Sequence, residues 1–198
     1  EPPLIEISET HSNYNGYGVS CYEGNDGWID INISGGTGDF NFEWSNGAST
    51  KDLDNLSAGI YSLITTDENG CEADTIQVEI TEPPLIEISE THSDYNGFGV
   101  SCNGEDDGSI EVNINGGTGT YTYQWSNGET TQDLNGLSAG IYSLVAMDEN
   151  GCEADSIQVE ITESSELIAD YNASNYNNYG VSCYGDSDGY IDLEVSGG

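Results

Sequence analysis

Positive charge is almost missing from this sequence. Lys51 stands as the single Lys or Arg against 37 Asp and Glu, giving a formal net charge of −36. Nucleic acids and anionic membranes are excluded as partners bound through basic patches, because nothing releases their counterions. Self-repulsion on this scale opposes a compact state unless salt or bound cations screen it. A saline or calcium-containing exterior suits such a chain. Long apolar runs are lacking as well: no stretch approaches the roughly 18 residues that cross a bilayer, and no signal peptide is visible, so direct membrane insertion is not expected. No sustained 3.6-residue apolar stripe is present, which argues against helices. With two histidines, His11 and His92, soft ligands are too few for a zinc site. No GxSxG motif supplies a hydrolytic nucleophile. No enzyme activity is expected.

What is abundant is repetition. EPPLIEISETHS at 1–12 returns at 82–93, GIYSL at 59–63 returns at 140–144, and NGCEAD at 69–74 returns at 150–155. The cysteines set the period, since 102 − 21, 152 − 71 and 183 − 102 all equal 81. Two full units, 1–81 and 82–162, are followed by the N-terminal part of a third, 163–198. The chain starts at EPPLIEIS and stops at EVSGG in mid-pattern, as expected of a segment of a longer secreted protein.

Within a unit the apolar residues alternate with period two, the signature of half-buried strands. Unit 1 offers LIEIS (4–8), YGVSC (17–21), WIDINIS (28–34), DFNFEW (39–44), KDL (51–53), IYSLITT (60–66) and DTIQVEI (74–80), separated by the turn signals DG, GGTG, SNG and ENG. About seven short strands in an 81-residue unit predict an all-β fold of tandem immunoglobulin-like β-sandwiches. TEPP at 81–84 marks a stiff junction; ESSE at 163–166 replaces it before unit 3.

GGTG at 35–38 and 116–119 is followed by a strand and lacks a nearby lysine, so it reads as a hairpin turn rather than a phosphate loop. Trp44 and Trp125 close those strands and are assigned to the core; a carbohydrate platform built on Phe40, Phe42 or Trp44 is the alternative. Tyr61 and Tyr142, after SAG, resemble a tyrosine corner and join the core set. NIS at 32–34, NLS at 55–57 and NAS at 172–174 fit the N-glycosylation pattern, a weak signal in an Asn- and Ser-rich chain.

Five cysteines in a small acidic repeat read as disulfide formers in an oxidising place. Cys21 precedes Cys71 by the same 50 positions (71 − 21, 152 − 102) that separate Cys102 from Cys152. One bridge per unit is therefore expected, Cys21–Cys71 and Cys102–Cys152, with Cys183 pairing outside the segment. Because a disulfide holds its Cα atoms within about 4.4–6.8 Å, each bridge brings two acidic turns to one end of its sandwich; if seven strands simply alternate direction, that end also faces the preceding unit and the TEPP linker. Glu23 and Asp26 then meet Asp67 and Glu68, and Glu105 and Asp107 meet Asp148 and Glu149. An EF-hand loop is excluded by register, because the counts place Tyr22 and Ile33 at ligand positions. An oxygen cage for calcium is the candidate cofactor site; no cofactor is required by the fold.

The run DGWIDINISGGTGDFNFEWSNGASTKDLDNLSAGIYSLITTDENGC (26–71) and its counterpart DGSIEVNINGGTGTYTYQWSNGETTQDLNGLSAGIYSLVAMDENGC (107–152) resemble the SprB repeat of gliding Bacteroidota. The resemblance implies a very large adhesin at the cell surface, exported by the type IX secretion system and propelled along the outer membrane. Repeats of this kind also occur in other secreted multidomain proteins. The implied role is structural and adhesive, in gliding motility and surface attachment. The partners are neighbouring repeats, surface polysaccharide or substratum, and gliding or secretion machinery reached through other regions.

Overall fold

The computed structural model describes residues 2–198; Glu1, the first residue of the first repeat, lies outside that range. Among the described residues all regular structure is β. The first repeat supplies β1 (Glu6–His11), β2 (Gly27–Ser34), β3 (Phe40–Trp44), β4 (Leu53–Leu56), β5 (Gly59–Asp67) and β6 (Ile76–Ile80). The second supplies β7 (Glu87–His92), β8 (Gly108–Asn115), β9 (Thr122–Trp125), β10 (Leu134–Leu137), β11 (Gly140–Met147) and β12 (Ile157–Ile161). The third contributes the hairpin β13 (Ile168–Ala173) and β14 (Ile191–Ser196).

Each full repeat makes two three-stranded sheets, β1-β2-β4 with β3-β5-β6, and β7-β8-β10 with β9-β11-β12. By Cα proximity the chain divides into two compact units. One comprises 1–89, 113–124 and 144–157; the other comprises 90–112, 125–143 and 158–198.

Alternation explains the layers. In β2 the odd residues Ile29 and Ile31 are buried while Asp30 and Asn32 face water, and in β5 Leu63 and Thr65 are buried beside exposed Ile64. These residues close on Trp44, Leu53, Leu56, Val78 and Ile80 to form one core between the two sheets. Trp44 and Trp125 are each 2% exposed, and their indole Nε1 groups donate to the carbonyls of Thr50 and Thr131 at 2.9 Å. An indole sunk and tethered in this way offers no face to a sugar. Tyr61 and Tyr142 are half-buried and donate to the Ser57 and Ser138 carbonyls at 2.9 and 3.0 Å.

Two expectations need correction. The strand expected at YGVSC (17–21) is a loop, so each full repeat shows six strands among its described residues rather than seven. Only Gly18 and Val19 of that stretch are buried, and their amides donate to the Thr81 carbonyl at 2.9 and 3.1 Å. A Cβ on Gly18 would lie 2.8 Å from the Ile80 side chain, so the loop lies flat against the end of β6. The strands also do not simply alternate in direction. β2 pairs antiparallel with both β1 and β4, and β3 pairs antiparallel with β5. Followed through these registers, β3 and β4 run the same way. Residues 45–52 carry the chain from one sheet to the other without reversing it.

In the third repeat the positions corresponding to Ile29 and Ile31 are Ile191 and Leu193, which are 76% and 63% exposed for want of a facing sheet.

Core position should govern the response to truncation. Leu63→Ala is expected to lower the unfolding free energy by about 3 kcal/mol. Ile60→Ala, at a residue 64% exposed in the same strand, should change it by less than about 0.5 kcal/mol. Denaturant titration of both variants reads this out, and equal losses would contradict the assignment.

Candidate functional site: the stapled joint

The same-direction step at β3–β4 decides where the cysteines emerge. Cys21 lies in the loop held to Thr81, next to Ile80, and Ile80 is opposite Gly59 at the start of β5. Cys71 lies in the turn after β5, where its carbonyl accepts from the Asp67 amide at 3.0 Å. The two sulfurs therefore sit at opposite ends of a nine-residue strand, roughly 26 Å apart at about 3.3 Å per residue. A disulfide tolerates Cα separations of only about 4.4–6.8 Å.

The expected pair Cys21–Cys71 is corrected accordingly. Cys21 is bonded to Cys152, 131 residues away, with a Cα–Cα distance of 5.6 Å. The pair Cys102–Cys152 is excluded with it, and Cys71, Cys102 and Cys183 are free and exposed. Chain entropy does not choose between the pairings. Closing 131 residues contributes about 5 kcal/mol against about 4 for 50, so the geometry of the ends decides.

The staple thus ties the far end of the first repeat to the near end of the second. Around it, Ile86, Cys152 and Ala154 are buried and pack with Cys21, Ile88, Ile114 and Tyr121 as a small apolar cluster. The linker is fixed from both sides. The Glu82 carboxylate accepts from the Glu23 amide at 2.8 Å, and the Pro84 carbonyl accepts from Gly117 at 2.8 Å. Gly116, at φ 84°, lets this happen: a Cβ there would fall 1.8 Å from the Leu85 carbonyl oxygen. That is the physical reason for the GGTG motif, which serves the approach of the incoming linker.

Asp148 organises the near end. Its buried carboxylate accepts from the Thr118 amide and hydroxyl at 2.9 and 3.1 Å, and from the amides of Asn150 and Cys152 at 2.9 Å each. Asn150 then reaches across the joint. Its side-chain amide donates to the Ser20 carbonyl at 3.2 Å, and its oxygen accepts from Asn15 at 3.2 Å. Asp67 repeats the arrangement in the first repeat, accepting from Thr37, Asn69 and Cys71 at 2.9–3.1 Å.

The acidic residues considered for calcium are distributed by the same topology. Glu23 and Asp26 lie at the far end of the first repeat, whereas Asp67 and Glu68 lie at its near end. In the second repeat, Glu105 and Asp107 flank Cys102, and Asp148 and Glu149 flank Cys152. Asp26 and Asp107 each accept from an amide, Ser20 and Ser101, at 3.0 Å, and Asp67 and Asp148 are engaged by four donors each. Among the described residues no group of three or more carboxylate, histidine or cysteine side chains converges as a metal would require. His11 and His92 contact Glu9 and Glu90 of their own strands at 2.9 and 3.1 Å. Two open clefts, of about 530 and 400 Å³, run along β1 and β7 and are lined by Ile7 with Asp74 and by Ile88 with Asp155.

Residues 19–49 and 100–130 match the SprB repeat family. Both matched stretches begin at the VSC loop and run through GGTG to WSNG. No curated protein sequence matches the chain. Among solved structures, the three N-terminal domains of the Hoc outer capsid protein of bacteriophage RB49 align over 99% of this chain and 69% of that one, at 14% identity and a TM-score of 0.47. A C-terminal 282-residue fragment of intimin, solved with the intimin-binding domain of Tir, aligns over 85% of this chain and 66% of its own, at 12% identity and a TM-score of 0.41.

The Asp67 carboxyl is held below the ordinary carboxylate range, first by the Cys71 amide, with burial opposing and the Thr37 and Asn69 donors adding to the effect. A depressed folded-state value means that Asp67 stabilises the fold fully above about pH 4 and loses that contribution as pH falls through the lower folded value. The stability difference between the wild type and Asp67→Asn should therefore shrink as pH is lowered from about 5 to about 2. Taking the difference cancels the general relief of repulsion as other acids protonate. A difference independent of pH would contradict this role.

Proposed function

We propose that this chain, which carries two SprB repeats, is a covalently reinforced spacer segment of a cell-surface adhesin fibre. The single observation that carries the reading is the Cys21–Cys152 bond. A ligand-binding module needs each repeat to present its own site, whereas a fibre needs successive repeats to be joined. Here Cys21 and Cys152, the GGTG turn at 116–119, the buried Asp148 and the linker prolines all serve the joint. Export by the type IX route, attachment at the outer membrane and a part in gliding follow from the SprB resemblance and are proposed with it. A non-enzymatic role accords with a chain whose most organised polar groups, Asp67 and Asp148, are spent on holding turns. In this reading calcium and other cations act as screening counter-ions of a −36 surface rather than as a resident cofactor.

Pulling the chain from its two ends tests the mechanical claim. With the staple closed, tension passes from Cys21 to Cys152, and the stretch between them, 131 residues of separation, is never loaded. Reduction should lengthen the fully extended chain by roughly 450 Å, at about 3.5 Å per residue. An extended length unchanged by reductant would refute a stapled spacer.

A further inference from the structure

We propose that the outer edge of β7, with the cleft beside it, is a docking site for an extended, basic polypeptide segment that adds to the sheet as a further strand, and that β1 offers the same site in the first repeat. β7 is the last strand of its sheet, as β1 is of its own. The Ser93 amide donates to the Ser109 carbonyl at 3.0 Å. Bonds of an antiparallel ladder recur at every second residue, so Ser89 and Thr91 also face β8, while the amides of Ile88 and Glu90 point away from it. The Ser12 amide donates to the Trp28 carbonyl at 3.0 Å in the same way, which turns the amides of Ile7 and Glu9 outward from β1. Among the described residues no strand pairs with either edge. The cleft beside β7 stays open with the preceding repeat in place, so its openness is a property of the repeat.

The lining selects the occupant. Buried Ile86, half-buried Ile88 and Ile157, and exposed Leu85, Glu87 and Asp155 line the β7 cleft. Each has its counterpart 81 positions earlier in the β1 cleft: Ile5, Ile7, Ile76, Leu4, Glu6 and Asp74. A strand laid along such an edge puts alternate side chains on opposite faces. One set meets the isoleucines and the other meets the carboxylates, so apolar residues alternating with lysine or arginine fit both. The outward backbone groups of Ile88 and Glu90 supply the ladder, and the cleft supplies the register. Charge decides against a second copy of this chain, which would bring 37 acids and one lysine to an acidic edge. Acidic side chains along an edge strand keep like-charged chains from pairing with it, and the same charges draw in a basic segment. End-to-end joining leaves this side of each repeat free, so the site adds lateral partners to a spacer and does not replace that role.

Hydrogen exchange of the oxidised full chain, read amide by amide by NMR in about 0.15 M salt, tests the inference. The probe is a capped peptide of alternating lysine and valine, about eight residues long. At about ten times its dissociation constant it should slow exchange about tenfold at Ile7, Glu9, Ile88 and Glu90. A peptide of alternating lysine and serine, equal in charge but with nothing to bury, should slow it less than about twofold at the same concentration. Proline at 88 removes an outward donor and takes none from β8. Ile88→Pro should therefore weaken binding to the second repeat about fivefold, with Ile7 and Glu9 still protected as the control within the same molecule. Neutralising two exposed carboxylates, Glu87→Gln with Asp155→Asn, should weaken it about threefold. Equal protection by the two peptides, or spectral shifts spread over the acidic surface without slowed exchange at the four amides, would mean counter-ion binding alone and overturn the proposal. Unchanged binding to a folded Ile88→Pro second repeat would overturn it too. If that variant unfolds the repeat, the neutralised pair decides in its place, and unchanged binding there is the contrary result.

Discussion

Every other feature of this molecule is arranged around one covalent bond, between the loop that closes one repeat and the turn that opens the next. The ends that Cys21 and Cys152 join are acidic, with Glu23, Asp26 and Glu82 on one side and Glu149 and Glu153 on the other. Coulomb repulsion pushes such ends apart, and screening by salt only weakens it. The apolar cluster at the joint, built on Ile86, Cys152 and Ala154, is small. A disulfide supplies what so little buried surface cannot, and it does so without a positive charge.

The bond spans more than one repeat. A separation of 131 residues exceeds the repeat period of 81, so loops closed by successive bonds of this kind would overlap. A backbone break in the linker at 81–84 falls inside the Cys21–Cys152 loop and leaves the repeats covalently attached. A bridge confined to each repeat would stabilise single sandwiches and leave every linker as a weak point. The turn chemistry follows the same logic. Gly116 is required for the passage of the linker, Asp148 for the shape of the turn, and Asn150 for reading the neighbouring loop.

Much of this was legible in the sequence, and its limit is equally physical. Period-two alternation located β2, β3, β5 and β6, because each has one face buried in a common core. The burial of Trp44 follows from the same alternation, and the hydrogen bond of Tyr61 from the corner pattern after SAG. YGVSC misled because its apolar residues are spaced like a strand, while its amides are used to anchor a loop on Thr81. The cysteine partners were not legible. Offsets of 50 and 131 differ by one period, so repeat spacing fits both, and the choice turns on which end of the sandwich each sulfur occupies. That depends on the parity of strand reversals, which the unreversed crossing from β3 to β4 changes. No composition or spacing rule reports a chain that switches sheets without turning back. The acidic grouping expected within each repeat depended on the same pairing; Glu23 and Asp26 instead lie at the end opposite Asp67 and Glu68.

Disulfide mapping of the oxidised, unreduced chain tests the central claim most directly. Proteolysis under conditions that block thiol exchange, followed by mass spectrometry, should yield a linked peptide pair containing Cys21 and Cys152, with Cys71 and Cys102 recovered as alkylated thiols. Recovery of Cys21 linked to Cys71 and Cys102 linked to Cys152 would contradict the account.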